Sequence, residues 1–409
     1  CLEELWALSG SKIADDVDLM PVKPFYRLNW PDGTNYDYAN DEEALREEIR
    51  KIAPDDLEGY EKFQEYSRGV EREGYQKLGS VAFLSILSML KAAPALARYQ
   101  AWRSVYSIAS KYVKNDKLRQ ALSFQTLLVG GNPMTTSSIY ALIHTIEKEG
   151  GVWFAKGGTN RLVAAMVTHF ERLGGTIRLG DPVEEIETRG DKVIGVRTKS
   201  GWRMDCDMAA SNGDLMHTYK DLLTSNKRGE RATKSLRRKS WSPSLFVLHL
   251  GIKGTWPGIP HHMILFGPRY KGLLDDIYKN GVLPQDFSLY LHHPTVTDPS
   301  LAPEGSGQDV RGQPLVQMPH PRRFAAASAS HNRATRPCAQ DLRLLRSRLA
   351  GTRCPPPHGP NCPDNPRPAR AARFAGAWAA LGRRIRPASG HRAPWLFAHR
   401  ADPPIGRCP

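Results

Sequence analysis

Cysteine is scarce in this chain and unevenly placed. Of six cysteines in 409 residues, only Cys1 and Cys206 precede residue 309, which excludes a disulfide framework for the body and fits a reducing cytoplasm. Long apolar runs are missing too. The longest, VAFLSILSML at 81–90, stops at Lys91 and falls well short of the roughly 20 residues a membrane-spanning helix needs. The chain opens on Cys1 rather than methionine and shows no signal peptide, so the expectation is a fragment of a longer protein.

The last 101 residues contain no lysine, glutamate or tyrosine, yet they hold 18 arginines, 16 of the 31 prolines and four cysteines against four aspartates. Almost all of the formal +15 charge therefore sits there, whereas the first 308 residues carry 39 basic and 38 acidic side chains. The body is neutral, which removes the argument for nucleic acid as a partner. Losing Lys, Glu and Tyr together while gaining Arg, Pro and Ala reads as GC-rich DNA translated out of frame, with a disordered tail expected over 308–409. Two other readings of the tail stay open. One is an Arg/Pro-rich arm on nucleic acid, though without aromatic interleaving; the other is a metal set Cys354, His358 and Cys362, whose spacing Pro355, Pro356 and Pro357 interrupt. No metal site is assigned.

What is present is organised around residues 151–213. Gly157-Gly158-Thr159 opens a segment with apolar residues at Leu162, Ala165, Met166, Phe170 and Leu173, closed by Gly174-Gly175, which predicts a capped helix. A strand is expected at 176–179, then a hairpin of arms 183–188 and 192–198 about Arg189-Gly190-Asp191, and a third arm at 202–205. On spacing alone, the paired glycines are more simply a plain turn than a cofactor loop.

Upstream, 22–30 and 35–38 flank Pro31-Asp32-Gly33 and predict a hairpin whose Phe25, Tyr26, Trp30 and Tyr36 either line an apolar site or pack a core. Helices are expected through 41–112, with Asp41 as a cap and Pro94 ending the apolar segment before 95–102. That segment, followed by Lys91, Arg98 and Arg103, suits either a buried helix or one lying in a membrane interface. Further helices are expected at 116–128, 137–149, 217–223 and 273–278, strands at 244–252 and 287–291, and a solvated, mobile surface at 226–239.

Seven runs carry a resemblance: PVKPFYRLNW (21–30), QAWRSVYS (100–107), LRQALSFQTLLVGGNP (118–133), TSSIYALIH (136–144), FGPRY (266–270), DFSLYLH (286–292) and TDPSLAPEG (297–305). In this order they resemble the bacterial-type phytoene desaturases of carotenoid biosynthesis, within the amine-oxidase-like flavoproteins. The resemblance implies an α/β (α+β) fold: a partial FAD-binding, glutathione-reductase-like domain, a mixed-sheet substrate domain, and a helical membrane-associated part. The segments would be 1–40 (substrate-domain hairpin), 41–150 (helical, membrane-associated), 151–215 (FAD domain), 216–307 (substrate-domain sheet) and 308–409 (tail). It implies FAD as cofactor with Gly157, Gly158 and Val183 near it, and phytoene or a similar long isoprenoid as substrate. It further implies peripheral contact with the inner face of the bacterial plasma membrane from the cytoplasm, and no nucleic acid.

The implied reaction introduces conjugated double bonds toward neurosporene or lycopene. Alternatives are a truncated relic or a related flavin oxidoreductase on another isoprenoid. The family's Gly-x-Gly-x-x-Gly and its closing glycine motif occur nowhere in the 409 residues, and Leu87-Ser88 stand where an Arg-Asp pair often precedes Met89-Leu90. The chain as written is therefore expected to be inactive alone. No catalytic residue is readable; His144, His292, His293, Arg103, Arg119, Asp286 and Asp298 all have structural readings at least as good.

Overall fold

Polar caps and tight turns set the beginning of several elements in the first third of the chain. The computed structural model describes residues 2–302 except 80, 82–85, 240, 248–249, 253–255, 257 and 285, together with the backbone of 310–312 and 315–318. Helix α1 (Leu2–Leu8) precedes strand β1 (Leu19–Pro21) and the hairpin β2 (Tyr26–Asn29) and β3 (Asn35–Tyr38), with Tyr26 opposite Tyr38 and Leu28 opposite Tyr36. In the turn, the Asp32 carboxylate accepts the Thr34 N–H at 3.0 Å, a local bond that favours this geometry. Asp41 accepts the Ala44 N–H at 2.9 Å and so starts α2 (Glu42–Ile52).

Helix α3 (Leu57–Glu71) follows, then α4 (Ile86–Arg98), α5 (Val105–Tyr112), α6 (Asp116–Ala121) and α7 (Leu142–Gly150). Ser104 and Asn115 cap α5 and α6. The expected single helix over 116–128 is α6 plus a 3-10 turn, Phe124–Val129, ended by Gly130 at φ +74°. Strand β4 (Trp153–Ala155) leads into α8 (Thr159–Arg172), followed by β5 (Val183–Arg189), β6 (Lys192–Thr198) and β7 (Arg203–Asp205). Next are α9 (Leu215–His217), α10 (Lys227–Leu236), β8 (Ser244–Val247), β9 (Leu250–Ile252), β10 (His262–Leu265), α11 (Tyr270–Asp275), β11 (Leu289–His292), β12 (Val310–Gly312) and β13 (Leu315–Met318).

A six-stranded sheet runs β3-β2-β10-β11-β13-β8. It is mixed, because β10 lies parallel to β2 while the other pairs are antiparallel, and β5-β6-β7 form a separate antiparallel sheet. Strands β12 and β13 fall in the stretch that composition assigns to the tail; everything from 319 onward lies outside the described residues, including Cys354, His358 and Cys362.

Helices α2, α3, α5 and α6 cover one face of the large sheet, burying Leu28, Trp30, Tyr36, Tyr38, Leu45, Ile49, Tyr60, Phe63, Ile108 and Leu118 together. Each such side chain contributes about 1.5–3 kcal/mol when taken from water. The hairpin aromatics therefore belong to this core rather than to an apolar cavity. A smaller cluster of Trp6, Ile13, Val17, Ala155 and Ala165 fixes α1 and α8 about β4.

Three expectations change. Residues 176–179 form no strand, and Leu179 is 89% exposed; alternation at Ile177 and Leu179 finds no paired edge there. Pro94 sits inside α4 instead of ending it, flanked by alanines and leucines that favour the helix on both sides. The charged run 226–239 is largely α10, capped by Asn226 and braced by Lys234 on Glu230 at 2.8 Å.

Candidate functional site

The turn from β4 into α8 requires glycine. Gly157 and Gly158 have φ of +82° and +84°, a region costly for any side chain with a Cβ. Both amides are occupied within the protein: Gly158 N–H donates to the Ala155 carbonyl at 2.8 Å, and Gly157 N–H donates to the Asp298 carboxylate at 2.6 Å. Asp298 is buried and also accepts the Ser300 N–H at 3.1 Å and the Ser300 hydroxyl at 2.6 Å. Burial pushes its pKa up, but the bonds from Gly157 and Ser300 more than offset this and hold it below the usual range.

Lys156, one residue before the glycines, stands on the rim of an open cleft of about 780 Å³. Leu19, Met20 and Pro21 of β1 form an apolar wall, while Lys23, Arg27 and Lys156 outnumber the one lining acid, Asp18, which pairs with Lys156 at 3.5 Å. Arg27 is oriented by Asp37, with nitrogen–oxygen distances of 2.6 and 2.7 Å, and by the Gly258 carbonyl at 3.0 Å. The wall opposite β1 includes His261 and Thr297. Such a cleft suits a planar, partly apolar ligand that bears negative charge.

Behind His261 lies a cluster of imidazoles. His262 and His292 are directly opposed across β10 and β11, and His261 Nε2 is 3.0 Å from His292 Nε2. Burial, reinforced by mutual repulsion, depresses the pKa to about 3 for His261 and His262 and to about 4 for His292. All three are neutral at pH 7.

Of the residues expected near a flavin, Gly157 and Gly158 follow Lys156 directly in the chain but are not among the residues that line the cleft. Val183 begins β5 in the separate three-stranded sheet, 39% exposed, and does not line it. Asp298 positions the glycine turn, Asp286 pairs with Arg269, Arg119 Nε donates to the Val113 carbonyl at 2.9 Å, and His144 is buried between Tyr38 and Tyr60. Sequence reasoning overlooked His261 and His262. The available signal was two adjacent-histidine pairs, 261–262 at the start of the apolar run 263–266 and 292–293 at the end of the run 289–291.

Residues 2–347 match the family described as flavin containing amine oxidoreductase. A lycopene-forming phytoene desaturase of Paracoccus sp. is 55% identical over 319 residues, covering 78% of this chain and 63% of its own length. The lycopene-forming phytoene desaturase of Pantoea ananas is 50% identical, with coverages of 78% and 64%. The neurosporene-forming phytoene desaturase of Cereibacter sphaeroides is 40% identical over 322 residues, with coverages of 78% and 62%. The chain thus spans a little under two thirds of the length of these curated relatives. With its family match extending over most of the sequence, the chain belongs to the flavin containing amine oxidoreductases.

Proposed function

We propose that this chain is the larger part of an FAD-dependent phytoene desaturase, which introduces conjugated double bonds into a long isoprenoid on the way to lycopene or neurosporene. The 55% identity to a lycopene-forming enzyme over 319 residues carries this reading. The cleft residues fit a flavin. Met20 and Pro21 would face its apolar part, and Lys23, Arg27 and Lys156 its anionic part. The flavin, when bound, supplies the hydride acceptor. The protein's share is to hold an apolar chain in place, exclude water from it, and keep the glycine turn rigid through Asp298.

The test is a chimera in which residues 2–302 replace the corresponding segment of the Paracoccus relative. Expressed in cells that accumulate phytoene, it is expected to produce coloured carotenoid. A chimera that folds and retains FAD yet leaves phytoene unchanged would overturn the reading.

We also infer peripheral membrane contact, which such a substrate requires. No helix among the described residues is long and apolar enough to cross a bilayer. Leu90, Trp102, Leu128 and Val129 are nevertheless exposed, Trp102 at 73%, near the cations Lys91, Arg98 and Arg103 in sequence. The turns that carry Trp102 and Leu128 are linked, since Ser137 donates to the Ala101 carbonyl at 2.7 Å, Val105 N–H to Thr136 and Gly131 N–H to Thr126. Apolar side chains ringed by cations suit an anionic lipid interface. The double variant Trp102→Ser/Leu128→Ser is expected to lose most of its co-sedimentation with vesicles of mixed neutral and anionic phospholipid, and equal sedimentation of wild type and variant would refute the contact.

A further inference from the structure

Three imidazoles converge where nothing in the proposed reaction calls for them. Candidate ligand atoms of His261, His262 and His292 all lie within 4.8 Å of one another, and the shortest separation is the 3.0 Å between two Nε2 atoms. A divalent ion with bonds of about 2.0–2.1 Å to imidazole nitrogen holds tetrahedral ligands a little over 3 Å apart. Small side-chain rotations bring the set to that spacing.

The far side of two of the three rings is arranged to match. His261 Nδ1 lies 2.6 Å from the Thr297 hydroxyl, and His262 Nδ1 lies 2.6 Å from the Tyr290 hydroxyl. An Nδ1–H donated to each oxygen leaves the Nε2 lone pair free, which is the tautomer a metal ion takes. Phe154 packs edge-on against His261 and His292 and limits ring rotation. No acid lies in the set, so hard cations that want oxygen are disfavoured, while ions that accept nitrogen fit.

We propose that His261, His262 and His292 bind one divalent first-row transition ion of the zinc, cobalt or nickel type, with a fourth position open toward the cleft that His261 lines. The ion would clasp β10 to β11. Thr297, which orients His261, is followed directly by Asp298, which holds Gly157, so the ion and the glycine turn are supported by adjacent residues.

The experiment uses the full chain, stripped with chelator and titrated with Co²⁺, then with Zn²⁺ in competition. Expected are one equivalent of bound Co²⁺ with visible d–d bands, no thiolate charge-transfer band, and displacement by Zn²⁺. His262→Gln and His292→Gln should each abolish stoichiometric uptake. Tyr290→Phe should weaken it roughly 10–100-fold, as loss of an orienting partner does, with unchanged far-ultraviolet dichroism. No stoichiometric uptake by the wild type overturns the proposal, as does uptake that survives both histidine substitutions, because the ion would then lie elsewhere, for instance on the cysteines beyond residue 319. If the histidine variants fail to fold, Tyr290→Phe decides alone: unchanged affinity overturns it.

Discussion

Replacing Glu147 by Gln is expected to stabilise the folded chain at pH 8 by about 2 kcal/mol. Glu147 projects from α7 into a polar pocket where its carboxylate accepts from the Tyr26 hydroxyl and the Gln125 amide, each at 3.0 Å, and no cation among the described residues offsets its burial. Burial raises its pKa to about 7, and the bonds from Gln125 and Tyr26 only partly oppose the shift. A carboxyl whose folded pKa exceeds its unfolded value gives stability that is complete below pH 4.5 and is lost as the pH rises through 7. A sealed group would lose about 3 kcal/mol over that window, and partial contact with water lowers the figure to about 2. The amide introduced by Glu147→Gln mimics the protonated form and still accepts from both donors through its carbonyl oxygen.

One turn earlier on the same helix, His144 titrates in the opposite sense. It is buried against Tyr38 at 3.0 Å and Tyr60 at 3.3 Å, and burial, with a smaller contribution from Lys148, depresses its pKa to about 3. Its stability is present above pH 6.5 and lost as the pH falls toward 3, at about 1.4 kcal/mol per unit. In the wild type these two trends cancel between pH 4.5 and 6.5, and Glu147→Gln removes the opposing limb, leaving His144 to fall on acidification together with His261, His262 and His292. Urea midpoints at pH 8, 6 and 5 measure both effects. A variant no more stable than wild type at pH 8, or one whose midpoint does not fall on acidification, would show that neither group is as dry as its surroundings imply.

Local signals in the sequence located elements whose partners are close in the chain. The β5–β6 hairpin turns on Arg189-Gly190-Asp191, and α8 ends where Gly174 takes φ +89° and Gly175 N–H returns to the Phe170 carbonyl at 3.0 Å, a stop legible in the glycine pair itself. Strand β10 left no such mark, because four residues headed by histidine and placed between β2 and β11 owe their conformation to strands more than 20 positions away in either direction. The cleft is hidden for the same reason. It draws on Asp18 to Arg27, Lys156, His261 and Thr297, and no window of the sequence holds more than one of these groups. The glycine pair was found from its spacing, whereas the carboxylate that holds it lies 141 residues away.

That carboxylate carries the last expectation. Asp298→Ala removes the acceptor of three donors, the Gly157 N–H, the Ser300 N–H and the Ser300 hydroxyl. Bonds to a charged group are worth about 1.5–3 kcal/mol each. Ser300 can recover water, but the Gly157 amide is held in a turn whose φ only glycine accepts readily, so the expected net loss at neutral pH is about 3 kcal/mol. Asn is no remedy: Oδ1 would keep both bonds from Ser300, while Nδ2 would turn a second donor toward the Gly157 N–H. The lowered pKa gives the sign of the pH effect. The advantage of Asp298 is present above the unfolded carboxyl pKa and lost as the pH falls through the folded value, so wild type and Asp298→Asn should converge in acid. Amide hydrogen exchange across 153–160 reads the same change locally, with Gly157 expected to exchange about 100-fold faster in the Ala variant, the equivalent of about 2.7 kcal/mol of lost protection. Unaltered exchange there, with unaltered stability, would mean that the turn is held by its own backbone bonds and by α8, and that the buried carboxylate answers to Ser300 alone.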